Sequence, residues 1–133
     1  MSQENLDSLR EAQHAFNRRD KPAWLQTYHP DGDMVPAKEW PESSPIHGAE
    51  AVWDFYIEVM AAWEEASFEL GEIIDSGNDK IVANVRRETR GKVSGVGLEF
   101  SYWFVSTFRD GKLIRGEWFA QRAEALEAAG LRE

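Results

Sequence analysis

The chain has 133 residues, 42% of them apolar and 29% charged, with a formal net charge of −9. That length predicts one domain, residues 1–133, with a single sizeable core. The lack of cysteine excludes disulfides, zinc–thiolate sites and a cysteine nucleophile. The acidic balance, with no basic cluster longer than a pair, argues against nucleic acid, whose binding rests on phosphate neutralisation, and against an anionic membrane surface.

The opening MSQENLDSLREA is polar and helix-prone, without the apolar stretch of a signal peptide. No apolar run approaches the roughly 20 residues needed to span a bilayer, so a cytoplasmic protein is expected. Asn5 to Arg18 reads as a helix with Leu6, Leu9, Ala12, Gln13 and Phe16 along one stripe. Asp20 caps a second, short helix with Pro22 in its first turn, followed by Trp24, Leu25 and Tyr28. The stretch HPDGDMVPAKEWPESSPIHG, residues 29–48, holds four of the five prolines and reads as a long loop broken only by a short strand at Met34–Val35. Trp40 in its middle favours an ordered, functional loop. Gly48 can cap a helix from Ala49 to about Glu65, with Val52, Phe55, Tyr56, Val59, Met60 and Trp63 on one face.

Strands follow. Ser67–Ile74 and Lys80–Arg90 flank a turn at residues 75–78, and the glycine-rich stretch 91–97 reads as a flexible hairpin connection without phosphate-loop spacing. The strongest local signal is LEFSYWFVSTF–RDG–KLIRGEWFAQ, two aromatic-rich runs around an Asp-Gly turn. With Arg109 opposite Lys112 and unbroken alternation, one face carries Trp103, Val105, Gly116 and Trp118, and the other carries Phe104, Arg115, Glu117 and Phe119. Neither face reads as solvent-facing. Arg122–Ala129 reads as a final helix. Helices first and an antiparallel meander afterwards predict an α+β fold, with helices on one face of a curved sheet.

The strings FNRRDKPAWLQTYHPD (16–31), PIHGAEAVWDFY (45–56), FRDGKLIRGEWF (108–119) and RAEALEAAGL (122–131), in that order, resemble the nuclear transport factor 2-like superfamily. The branch they look most like is the SnoaL-like polyketide cyclase group, with ketosteroid isomerase a more distant cousin. The resemblance implies a cone, the cystatin-like or NTF2-like fold: a bent antiparallel sheet wrapped around N-terminal helices, with a hydrophobic pocket at its open end. It also implies a homodimer through the convex sheet face. The ketosteroid isomerase positions are not kept. Its oxyanion-hole Tyr falls at Ala12, its base at about Pro36 and its protonated Asp near Phe104 or Val105, so no side-chain donor remains there. Its supporting Tyr falls at Tyr56. The His that many family members carry on the third strand falls at about Phe104.

Polar candidates come from what is left. Glu117, next to Trp118 and Phe119 on a strand expected to be covered, requires a partner, and Arg115 two residues away is the natural one; a desolvated Glu would also suit general acid–base work. Glu88 with Arg86 reads as a pair at a pocket mouth or a solvated strand end. Glu117, Tyr56 and His29 are the candidate catalytic groups. Tyr28, Trp40, Tyr56, Met60, Trp63, Trp103, Val105, Gly116 and Trp118 are the candidate pocket lining, with Gly116 facing Val105 and leaving space. No metal-ligand spacing occurs, and no cofactor is expected. The expected ligand is a small apolar or aromatic molecule. It is acted on by a cofactor-independent isomerase, dehydratase or cyclase, or held by a non-catalytic module of the same fold.

Overall fold

A computed structural model describes the backbone of residues 3–42, 44–60, 63–64, 68–91 and 97–131, and the side chains of 3–42, 44–59, 68–86 and 101–131. The order is α1 (Gln3–Asn17), α2 (Lys21–Thr27), β1 (Tyr28–Val35), β2 (Ile46–His47), α3 (Ala49–Met60), β3 (Trp63–Glu64), β4 (Glu69–Asp75), β5 (Lys80–Gly91), β6 (Gly97–Arg109), β7 (Lys112–Phe119) and α4 (Arg122–Ala128). The strands form one curved, unclosed sheet in the order β2-β1-β7-β6-β5, with β3 and β4 both on the outer edge of β5. The expected α+β class holds. Among the described residues no helix is long and apolar enough to cross a membrane.

The local chemistry of these elements is plain. Asp20 accepts a hydrogen bond from the Ala23 N–H at 3.1 Å, and Pro22 sits in the first turn, which fixes the start of α2. Asp110 and Gly111, with φ of 53° and 77°, make the two-residue turn whose twist suits a tight hairpin. Ser8 of α1 donates to the Gly111 carbonyl at 2.6 Å and ties that turn to the helices.

Three expectations are corrected. Residues 28–35 form an eight-residue strand running parallel to β7, where a loop with a short strand was expected. Tyr28 opens that strand rather than continuing α2. Helix α3 stops at Met60, and Trp63–Glu64 pair with Gly91 and Arg90 of β5. The third correction matters most for the site. Arg109 does face Lys112 and Phe108 faces Leu113, but the register then slips, so that Thr107 pairs with Arg115, Ser106 with Gly116 and Phe104 with Trp118. The extra residue, Ile114, is a bulge, and it exchanges the faces of one strand relative to the other. Gly116 therefore faces Ser106, not Val105.

Helices α1, α2 and α3 pack on the concave face, where Leu9, Phe16, Trp24, Val52, Trp53, Phe104 and Trp118 join one core. Helix α4 packs on the opposite, convex face, where Ala125, Leu126 and Ala129 cover Val82 and Val105, with Trp103 and Phe119 alongside. The bidentate ion pair of Arg122 with Glu72 at 2.9 and 3.0 Å pins α4 to β4. The connection at 92–96 lies outside the described residues, as do the side chains of Glu88, Met60 and Trp63.

Candidate functional site

Between α1 and the concave face of the sheet lies a hollow of about 80 Å³. Its walls are Leu9, Ala12, Gln13 and Phe16 of α1, Trp24 of α2, Tyr28 of β1, Tyr56 of α3, Phe68 and Leu70 at the start of β4, Val85, Phe104, Leu113 and Trp118. The helix stripe explains the α1 wall: positions 9, 12, 13 and 16 recur at helical spacing and face the sheet. The bulge explains the sheet wall. With Ile114 looped out, Phe108, Leu113, Phe104 and Trp118 share one face; Phe104, Leu113 and Trp118 line the hollow, and Phe108 joins the same core.

The aromatic rings hold one another. Trp24 stacks on Tyr28 at 4.7 Å and meets Trp53 at 5.4 Å; Phe16 meets Tyr56 edge-on at 5.8 Å; Phe104 lies 4.6 Å from Trp118. Such offset and edge contacts favour fixed ring positions beyond area burial alone. Trp118 donates its indole N–H to the Tyr56 hydroxyl at 2.9 Å. The Tyr28 hydroxyl reaches the Asp33 carbonyl at a long 3.4 Å. Burial raises the pKa of both phenols above the ordinary tyrosine value; for Tyr56 the indole N–H pulls back the other way but less strongly. Both are thus protonated at neutral pH and act as hydrogen-bonding groups, not as bases. Apart from these phenols, no described residue of the lining titrates.

Phe68 is held by three side-chain bonds from α1. Its carbonyl accepts from Gln13 at 2.7 Å and from Asn17 at 2.9 Å, and its N–H donates to Asn17 at 2.8 Å. These bonds tie the residue before β4 to α1, and they fix the outer wall of the hollow.

Of the residues expected at a pocket, Tyr28, Tyr56 and Trp118 line this hollow. Trp40 stands behind it, 5.5 Å from Trp118 and 5.1 Å from Tyr102. Gly116 leaves no space: a Cβ there would fall 2.4 Å from the Phe104 ring, so the glycine is the seat of that ring. Trp103 and Val105 are on the convex side, against α4, because of the bulge. Gln13, Phe68 and Phe104 complete the walls. A polar Gln inside the apolar stripe of α1 was the sequence signal for the first; Phe104 was hidden by the slipped register.

The three candidate catalytic groups are not brought together. Tyr56 is at the hollow. His29 accepts from the Asp31 N–H at 3.1 Å in an exposed turn of β1. Glu117 is on the convex side, 3.6 Å from Arg115. Arg115 also lies 4.0 Å from Asp33, which in turn bonds His47, giving a polar row along β2, β1 and β7. Among the described residues no group of three or more His, Asp or Glu could hold a metal ion.

Residues 9–116 match the family model described as the SnoaL-like domain. The chain belongs to this SnoaL-like family, within the NTF2-like superfamily. Solved structures agree on the fold of this SnoaL-like domain. An NTF2-like protein of unknown function from Burkholderia pseudomallei is 26% identical, with 93% of this chain and 95% of that one covered and a TM-score of 0.76. A putative SnoaL-like polyketide cyclase from Jannaschia is 15% identical, with 87% and 84% covered and a TM-score of 0.76. A Mycobacterium tuberculosis protein in complex with estradiol-17β-hemisuccinate is 20% identical, with 86% and 92% covered and a TM-score of 0.72. No curated protein matches the sequence.

Proposed function

We propose that this SnoaL-like domain takes up a small aromatic molecule in the hollow between α1 and the sheet, as a binding pocket rather than an acid–base site. One observation carries the reading: the described lining is aromatic and aliphatic, and its only ionisable groups are two phenols that burial keeps protonated. Ligand sites are mostly apolar with a few polar groups, as here. The volume limits the guest. At about 80 Å³ the hollow is about half the size of an engineered cavity that takes up benzene, so a single ring fits only by reaching into its open side or by moving the walls. An isomerase, dehydratase or cyclase is the second reading, favoured by Tyr56, whose protonated hydroxyl could face a developing oxyanion.

Ala12→Leu tests the pocket. Ala12 lines the hollow from a helix, where leucine is well tolerated, and three added carbons fill much of the space. Calorimetric binding of ethylbenzene should be lost in the variant while its thermal midpoint is kept. Equal uptake by both proteins contradicts the location. The convex side supports a different role, contact with a second copy of the chain. A two-fold interface pairs a surface with itself, and the polar row His47, Asp33, Arg115, Glu117 is suited to that.

A further inference from the structure

We propose that the guest of the hollow is an uncharged hydroxyaryl carbonyl compound, its carbonyl oxygen accepting from the Tyr56 hydroxyl and its hydroxyl donating to the Gln13 carboxamide oxygen. The proposal rests on the pocket reading above and adds the guest's chemistry.

The Tyr56 oxygen already accepts from Trp118 at 2.9 Å, which leaves the phenol its own proton to donate. No described group receives that proton. A donor at the wall of an apolar hollow is costly to leave unserved, and a ligand oxygen serves it. The orientation of Gln13 is decided by its neighbour. The Phe68 carbonyl can only accept, so the Gln13 nitrogen must face it, as the 2.7 Å bond shows. The carboxamide oxygen is thereby turned away from Phe68, and no described donor reaches it. Gln13 is half-buried, and its oxygen is an acceptor open to a donor from the guest.

Tyr56 and Gln13 thus offer a donor and an acceptor on a described wall that is otherwise aromatic and aliphatic apart from the Tyr28 hydroxyl, which is turned to the Asp33 carbonyl. No Lys, Arg or His is among its described lining residues, so a carboxylate would leave water with no described cation to meet it. The net charge of −9 acts in the same direction at longer range. A neutral ring bearing a carbonyl and a hydroxyl is the complement of what the walls present.

Four single-ring probes separate these claims: ethylbenzene, acetophenone, 4-hydroxyacetophenone and benzoate. Their affinities are measured by calorimetry at mildly acidic pH, where the phenol is neutral, on the wild-type chain and on Tyr56→Phe and Gln13→Met. In the wild type each added oxygen should tighten binding by about tenfold, with benzoate weakest. Tyr56→Phe should erase the advantage of acetophenone over ethylbenzene. Gln13→Met should erase that of 4-hydroxyacetophenone over acetophenone. The proposal is overturned if the wild type binds ethylbenzene and acetophenone equally, if both variants keep the wild-type ranking, or if benzoate binds best. In those cases the pocket reading stands. If none of the four binds, the pocket reading falls as well.

Discussion

The two faces of the sheet use the same strands for opposite chemistry. On the concave face β6 and β7 present Phe104, Leu113 and Trp118 to three helices, and the described lining carries no charged side chain at neutral pH. On the convex face the neighbours of those residues, Arg115 and Glu117, join Asp33 and His47 in a row of polar and charged side chains beside the small apolar patch under α4. The contrast shows where energy and where adaptability reside. Burial of rings is worth several kcal/mol apiece, whereas half-exposed ion pairs are worth little. The concave face therefore sets stability and the shape of the hollow, and the convex face is free to serve contact.

Single substitutions sharpen that contrast, beginning with the largest effect. Trp118→Ala removes a ring that is 7% exposed, together with the donor to Tyr56, and should cost about 3–5 kcal/mol in chemical denaturation. A loss well under that range would mean the ring is loosely held. Gly116→Ala puts a methyl group into the Phe104 ring at 2.4 Å, and the ring must move toward the hollow; about 1–3 kcal/mol is expected, with weaker uptake of ethylbenzene. Unchanged stability would show that the ring has room to retreat. Glu117→Lys on the convex face sets a second cation beside Arg115, which is 46% exposed, and should change chain stability by no more than about 1 kcal/mol. Sedimentation should give the mass of two chains for the wild type and of one for this variant. A single-chain mass for the wild type contradicts the proposed self-contact.

Much of this arrangement was legible in the residues. The stripe of α1, the Asp20 cap, the Asp-Gly turn and the alternation of β5 each rest on local chemistry, and each is present in the fold. Family-level strings supplied the curved sheet. Two things were hidden. Strand β1 is written with Pro30, Gly32 and two aspartates, and its pairing with β7 is parallel and irregular, so only its end at Met34 and Val35 announces a strand. Gly32 is needed because the Tyr28 ring lies 2.9 Å from where a Cβ would be. The bulge at Ile114 has the larger consequence for the site. Strict alternation put Leu113 on the same face as Arg115 and Glu117, an apolar residue among charges. That conflict was the available sign that the register shifts. The shifted register puts Phe104, and not Trp103 or Val105, on the pocket face with Trp118.

The claim that the aromatic hollow, not the charged row, receives the guest is tested most directly by nuclear magnetic resonance of the labelled chain during titration with acetophenone. The Trp118 indole and the backbone amides of Ala12 and Gln13 should shift with saturation, while the amides of Arg115 and His47 stay in place. Saturable shifts at Arg115 and His47, with Trp118 unmoved, would contradict it.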